Sequence, residues 1–492
     1  MEYILVIDVG TSRIRGTICG HTGEIVSRRQ MEYSPASDGR GGVEQDVGDF
    51  LKRLDILLDL TGMDCAANHI HLCAIAVTSQ RSSVIPVDRE GEPLGLAIMW
   101  LDRRSDSICR EINKSIDIYP ICGMTARPVY SGPKILWLKR NLPELYEHAF
   151  KLIGFHELVL HRLTGNFVTD TSVASRSALL DIHTLKWSPE LMKLFGVTED
   201  RICDLIGPGT VAGTLSRRAE AHLRCGEVPV ISAGGDQQCA ALGMGLLKQG
   251  ILCVNLGTGA YTTRLCDRVI LDPARQTVCN GSAVPGMWLQ ETSSKASGMV
   301  YDWVKRQFFE SCTMEEMNDY AAQAGIGAHE LLMLPYLLGS GQENAGAVAE
   351  GAFLNIGVHT IKGDFARAAL EALAGEIWEC LQNQRRFEGV TDRLVCAGGL
   401  SHSKLYNQIL ADTCNVPLEV QRQNEATTVG AFMSAAVTLG LQPDLRAAWC
   451  SICGGTDLYV PDRERHKRYM EIHRRRRELF LAISKPERRG ET

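Results

Sequence analysis

Gly234-Gly235-Asp236-Gln237-Gln238 sets one carboxylate behind a glycine pair and directly ahead of an apolar run. Glycines let a backbone approach a ligand closely, and Cys239-Ala240-Ala241-Leu242-Gly243 reads as the start of a tightly packed helix. Asp236 is therefore presented as a catalytic base would be. The bland alternative is a turn whose aspartate merely caps that helix. A second candidate is Asp8-Val9-Gly10-Thr11-Ser12-Arg13-Ile14-Arg15. Backbone N–H groups in a glycine turn, two hydroxyls and a nearby arginine make a concave donor set suited to phosphate oxygens, and Asp8 could hold a magnesium ion through water. A decorative hairpin turn is the alternative there. Gly257-Thr258-Gly259 repeats the glycine turn, and the two together could grip a polyphosphate from both sides.

These turns need strands to present them. Residues 3–8 read as a buried strand, 10–12 as a turn and 15–20 as the start of a second strand. The same grammar returns at 250–256, 257–259 and 260–265. Two such hairpins in opposite halves of the chain predict two domains of related design facing one another across a cleft. Residues 70–78 and 394–396 also read as strands, whereas 363–387 and 403–415 carry helical periodicity, so the class is α/β. Gly243, Gly245 and Gly250 punctuate the middle of the chain and predict a boundary there, with domains 1–245 and 246–492 and Asp236 beside the hinge.

The bulk properties narrow the chemistry. A chain of 492 residues, 45% hydrophobic and 22% charged, has the composition of an ordinary globular protein with room for two domains. Its net charge of -6 gives no electrostatic reason to expect nucleic acid, which leaves small molecules as the expected partners. The basic run 463–484 mixes arginines with apolar residues at helical spacing and reads as a closing helix with a solvated face. The opening residues lack a basic n-region and an apolar h-region, and no run of about 18 apolar residues occurs; a cytoplasmic protein off the membrane is expected. The 17 cysteines are scattered through apolar stretches and read as reduced thiols. Cys450 and Cys453 have CxxC spacing without further ligands nearby, which argues against zinc.

Taken in order, Asp8-Val9-Gly10-Thr11, Trp100-Leu101-Asp102-Arg103-Arg104, Gly132-Pro133-Lys134-Ile135-Leu136-Trp137-Leu138, Gly235-Asp236-Gln237-Gln238, Gly257-Thr258-Gly259 and Ala397-Gly398-Gly399-Leu400-Ser401 resemble the FGGY family of carbohydrate kinases across nearly the whole chain. The resemblance implies an actin-like ATPase fold: two ribonuclease-H-like domains flanking a nucleotide cleft and closing about a hinge, with ATP and magnesium as cofactors. By the same resemblance Gly10, Thr11, Ser12 and Arg15 meet the nucleotide phosphates, and Gly257 and Thr258 meet them from the second domain. Gly298 and Asp302 line the nucleotide site, Gly398 and Gly399 let the backbone approach the adenosine, and Ser403 stands at an adenine-edge position often held by Asn. Asp8 and Asp236 become the metal-holding carboxylates, and Asp236 the base that takes the acceptor's proton. Pairing into a homodimer stays open.

The acceptor side of the resemblance is less uniform. Ser79-Gln80-Arg81-Ser82-Ser83 matches the family's substrate loop, but Ser82 stands where glycerol kinases place Glu, and Val129 replaces a glycerol-contacting Tyr. Sites that read a hydroxyl discriminate strongly when the match is lost, so these changes point to a longer polyol, a ketose or a sugar acid held by Arg81, Ser82, Trp100 and Gln237. Asn355 replaces a family Gly and is expected to tolerate left-handed backbone geometry. Two rivals stand beside an ATP-dependent kinase of this kind: glycerol kinase itself, favoured by Gly-Asp-Gln-Gln, and a non-catalytic actin-like ATP-binding protein.

Overall fold

The computed structural model describes every residue except 1, 258, 338–346, 349, 387–390, 423–424, 453 and 487–492. The described chain divides into two units: 1–247 with 265–289 and 425–453, and 248–264 with 290–424 and 454–492.

In the first unit the central sheet runs in the order Thr210–Thr214, Pro229–Gly235, Leu72–Ser79, Tyr3–Val9, Arg13–Cys19, Ile25–Glu32. Tyr3–Val9 and Pro229–Gly235 both lie parallel to Leu72–Ser79, one on each side. Ser79 pairs with Val9 in one direction and with Gly235 in the other. Three parallel strands thus end together, and the residues just beyond them, Gly10, Gln80 and Asp236, arrive at one edge of the sheet. Carboxyl ends of parallel strands are where open α/β sheets bind ligands. The strands are nearly continuous apolar runs because both faces are covered: Leu5, Ile7 and Val77 face one core with Phe50 and Leu54 of the helix Val47–Ala67, while Ile4, Val6, Ala74 and Ala76 face another with Phe432 and Met433.

The chain first passes between units at 247/248, and two later segments return to the first unit. Helix packing explains one return. The helix Ala426–Thr438 lies so close to Asp236–Gly243 that a Cβ on Gly243 would stand 1.9 Å from the Ala426 carbonyl oxygen, and one on Gly430 would stand 1.9 Å from that of Cys239. Gly243 is half of a glycine-to-glycine helix crossing.

The second unit repeats the plan: six of the strands in its seven-stranded sheet run in the order Trp288–Ser294, Ala260–Cys266, Ile251–Leu256, Arg393–Ala397, Leu418–Gln421, Thr456–Tyr459. The helices Lys362–Arg385 and Lys404–Cys414 cover it through a core that includes Leu370, Leu373, Ile377, Tyr406 and Leu410. The closing helix Arg463–Ile483 presents Arg474 and Arg477 to solvent but turns Arg476 inward, 2.9 Å from Glu376. Asn355 has φ 66°, the left-handed geometry expected of it. All cysteines among the described residues are free thiols, most of them buried. No helix among the described residues is long and apolar enough to cross a membrane.

Candidate active site

Asp236 is the first residue of its helix, delivered by the strand Pro229–Gly235. Gly234 has φ +124°, and a Cβ there would stand 2.9 Å from Ser172 Oγ. A Cβ on Gly235 would stand 2.6 Å from Arg81 Cδ and 2.5 Å from Gln238 Oε1. The glycine pair is thus required by what packs around it. Asp236 Oδ1 accepts the Gln237 backbone N–H at 2.7 Å, but the N-cap position is Gly235, so this contact to the next residue is not the bond to N2 or N3 that a capping aspartate makes. The same oxygen stands 3.3 Å from Arg81 Nε, and the Arg81 side chain is only 8% exposed against 27% for Asp236. Arg81, from the loop after Leu72–Ser79, therefore meets the candidate base directly, while part of the carboxylate faces solvent. Gln237, expected to help hold the acceptor, is the next residue and half-buried.

The phosphate-type turn is built from the neighbouring strand. Gly10 N–H donates to Arg13 O at 2.9 Å to close it, and the Gly10 carbonyl accepts the Tyr33 hydroxyl and, at 3.1 Å, Gln80 Nε2. Ser12 is held through its carbonyl by Tyr33 N–H, leaving its side chain exposed. Trp100 Nε1 donates to Thr11 Oγ1 at 3.0 Å, so the expected acceptor wall is pinned to the expected phosphate turn. Arg15 is shared: its guanidinium stands 3.8 Å from Asp8 Oδ2 and 3.4 Å from Glu425 Oε2, and Arg28 lies 3.1 Å from the other Glu425 oxygen. Glu425, 410 residues away in sequence, carries no local signal that would have connected it with this turn.

Burial pushes the Asp8 carboxyl up to about 7; Arg15 pulls it back, while the negative charges of Asp236 and Glu425 push it further. The negative charge of Asp236 is thus felt at Asp8. That donor set fits magnesium, a hard cation that takes one or two carboxylates and fills its remaining positions with water and substrate phosphate.

The acceptor loop is rigidly supported. Ser82 has φ 72°, is 8% exposed, and donates its hydroxyl to the Arg176 carbonyl at 2.9 Å. Its proton is committed to the protein, so toward a ligand Ser82 has only acceptor capacity to offer. Lys134, in the Gly132 to Leu138 motif, is buried and donates to the carbonyls of Pro128, Val129 and Tyr130 at 2.5, 2.8 and 3.3 Å. It fixes the segment that bears Val129. Asp102 accepts Val43 N–H at 2.9 Å and pairs with Arg104 at 2.8 Å, and the Arg104 guanidinium lies 4.2 Å over the Trp137 ring, which ties two of the sequence motifs together.

In the second unit, Gly257, Gly298, Asp302, Gly399 and Ser403 line one cavity of about 960 Å³ together with Asn318 and Lys404. That volume lies at the upper end of what small-molecule sites enclose, so a ligand as large as a nucleotide fits. Gly298 N–H donates to Gly257 O at 3.1 Å, and a Cβ on Gly298 would approach that oxygen to 2.8 Å, so the turn and the helix Gly298–Phe308 meet through glycine alone. Asp302 is exposed at the cavity wall. Ser403 Oγ accepts the Tyr406 N–H at 3.2 Å as a helix cap. Gly398, expected to admit adenosine, is not among the lining residues: its φ of +103° and a would-be Cβ 2.5 Å from Leu256 O show that it packs against the strand Ile251–Leu256. Thr258 and Cys453 lie outside the described residues.

Comparison with known proteins decides what this arrangement belongs to. Residues 3–243 match the N-terminal domain of the FGGY family of carbohydrate kinases, and residues 252–439 match its C-terminal domain. The chain belongs to the FGGY family of carbohydrate kinases. This FGGY kinase is 26% identical over 494 residues to a xylulose kinase of Lactococcus lactis subsp. lactis, covering 98% of this chain and 97% of that one. It is 28% identical over 502 residues to an autoinducer-2 kinase of Yersinia pestis, covering 95% and 91%. Its fold matches ligand-bound xylulose kinase from Lactobacillus acidophilus with a TM-score of 0.91 at 24% identity, over 98% of both chains. The FGGY kinase thus has the actin-like ATPase fold and is an ATP-dependent enzyme that phosphorylates a sugar or polyol.

Two groups of residues at this site went unassigned in the sequence. Asp170 and Ser172 lie beneath Gly235, and their local trace is an Asp-x-Ser cap pattern opening the helix Thr171–Ala174. Lys134 stood inside a quoted motif, yet its three carbonyl partners become apparent only in the folded loop.

Proposed function

We propose that this kinase phosphorylates a hydroxyl of an acceptor larger than glycerol, bound beside Arg81 and Asp236, with Asp236 as the general base. The observation that carries the reading is the 3.3 Å approach of Arg81 Nε to Asp236 Oδ1. An arginine in that position holds the carboxylate in place and aims its outer lone pairs at a bound hydroxyl. The acceptor oxygen then attacks the γ-phosphorus of ATP, its O–P bond forming as the bond from γ-phosphorus to the bridging oxygen breaks and ADP leaves. The hydroxyl proton passes to Asp236. Phosphoryl transfer asks a protein chiefly for positioning and charge neutralisation, which one carboxylate, an arginine and donor-rich turns can supply.

Gly10, Thr11, Ser12 and Arg15 contact phosphate oxygens in this reading, Arg15 exchanging part of its pairing with Glu425 for them. Gly257, Gly298, Asp302, Gly399 and Ser403 surround the rest of the nucleotide. Asp8 and Asp236 would hold magnesium, which when bound neutralises phosphate charge. Trp100 forms an apolar wall and Gln237 a polar one for the acceptor. Ser82 and Val129 remove two of the groups by which a glycerol site reads its ligand, and this supports a ketopentose, a longer polyol or a sugar acid over glycerol.

The test is a coupled ADP-release assay over D-xylulose and other ketopentoses, pentitols, sugar acids, autoinducer-2 and glycerol. One of the larger acceptors should exceed glycerol in kcat/KM by about 10-fold or more, the scale of a lost hydroxyl-reading contact. Glycerol as the best substrate would reverse the reading of Ser82 and Val129. ATP binding without turnover of any acceptor would revive the non-catalytic alternative.

A further inference from the structure

Beneath the Asp236 strand lies a fully buried set of polar side chains that the reaction described above does not use. Asp170 is 0% exposed. Its Oδ1 accepts the Ser172 hydroxyl at 2.5 Å and the backbone N–H groups of Ser172 and Val173 at 2.8 and 3.2 Å. Its Oδ2 accepts the Ser232 hydroxyl at 2.6 Å and stands 3.3 Å from His156 Nε2, which in turn lies 2.7 Å from Ser232 Oγ. Burial opposes ionisation of this carboxyl, but the hydrogen bond and charge of His156, with the hydroxyls of Ser172 and Ser232, outweigh it and hold Asp170 below the usual carboxylate range.

The consequence lies one bond further out. A serine hydroxyl has one proton and a rotor that turns to suit its partners. Because the Ser172 proton is taken by Asp170, its lone pairs are turned outward, and one of them accepts the Gly235 N–H at 3.1 Å. Gly235 is the residue before Asp236. The Ser172 carbonyl also accepts Gln238 Nε2 at 3.1 Å, so the same residue grips the chain on both sides of the base. Gly234 must be glycine for Ser172 Oγ to fit there, since a Cβ would stand 2.9 Å from that oxygen.

The geometry points to Asp170 as a positioning residue for phosphoryl transfer: through the Ser172 hydroxyl it fixes the Gly235 peptide and so the direction in which Asp236 meets the acceptor. The inference rests on the reading of Asp236 as the base. The Ser232 hydroxyl bonds the opposite oxygen of the same carboxylate rather than Gly235, which separates positioning from mere stability.

The experiment compares Ser172→Ala, Ser232→Ala, Asp170→Asn and Asp236→Asn in the full chain, with ATP and the fastest acceptor of the panel above. Misplacement of a reacting group by about 1 Å costs on the order of 100-fold, so Ser172→Ala is expected to lose about 10- to 100-fold in kcat with the calorimetric Kd for ATP unchanged. Asp170→Asn should follow it, and where that variant fails to fold, Ser172→Ala carries the test. Ser232→Ala should lower the urea midpoint comparably while keeping kcat within about 3-fold of wild type, because the Gly235 contact survives. Ser172→Ala with near-wild-type kcat, or equal kcat losses in Ser172→Ala and Ser232→Ala, overturns the proposal. An inactive Asp236→Asn alongside a normal Ser172→Ala defeats only the positioning role, whereas an active Asp236→Asn defeats the reading of the base itself.

Discussion

Arg81 Nε stands 3.3 Å from Asp236 Oδ1, joining a loop that follows the strand Leu72–Ser79 to the first residue of the helix Asp236–Gly243. The arginine is held in place, since its side chain is 8% exposed and packs against Gly235. Replacing it by Gln, which keeps a donor but not the charge, removes a charge-assisted contact worth about 1.5–3 kcal/mol. Arg81→Gln is expected to lower kcat/KM for the acceptor by about 10- to 100-fold with the Kd for ATP unchanged. Steady-state kinetics with calorimetric ATP binding checks this; an unaltered kcat/KM would remove Arg81 from the site.

The helix crossing behind Asp236 predicts a stability effect with a built-in control. A Cβ at Gly243 or Gly430 would meet a backbone oxygen at 1.9 Å, whereas one at Gly226 meets nothing within 4 Å. Overpacking a closed contact typically costs about 1–3 kcal/mol and more where backbone must shift. Urea unfolding should show Gly243→Ala and Gly430→Ala at the upper end of that range or beyond it, and Gly226→Ala within about 0.5 kcal/mol of wild type. Equal behaviour of the three would mean that the helices do not approach this closely.

The nucleotide cavity makes a separate prediction. Gly298→Ala would drive a methyl to 2.8 Å from the Gly257 carbonyl oxygen and displace the turn or the helix start. ATP affinity measured by calorimetry should fall by about 10-fold or more, the equivalent of about 1.4 kcal/mol. Binding of ATP with wild-type affinity would argue that this cavity is not where the nucleotide sits.

Lys134 gives the pH dependence. Burial pulls it down to about 7, against the Asp102 carboxylate and Cys109, whereas in the unfolded chain a lysine titrates at about 10.4. Between those values the unfolded chain holds a proton that the folded chain has released, so this group makes stability rise with pH from about 7 to about 10.4, with no slope below. The difference in unfolding free energy between wild type and Lys134→Met should therefore climb across that window. A difference that is flat or falls with pH would contradict the account.

Much of this arrangement was readable because its pieces are local. The hairpin Tyr3–Val9 and Arg13–Cys19, the helix opening at Asp236 and the left-handed Asn355 each follow from a few adjacent residues. What escaped the sequence is non-local. Glu425 reaches Arg15 across 410 residues, Ser172 reaches Gly235 across 63, and Gly243 serves a helix that begins at Ala426. No periodicity or turn signal records such pairings, since they are set by which strands share an edge.

The most direct test of the whole account is turnover by Asp236→Asn, which keeps the side chain's shape and removes its basicity. General-base catalysis contributes about 100- to 10,000-fold, so kcat in the ADP-release assay should fall by at least about 100-fold while ATP still binds with near-wild-type Kd. An Asp236→Asn enzyme that turns over at close to the wild-type rate would contradict it.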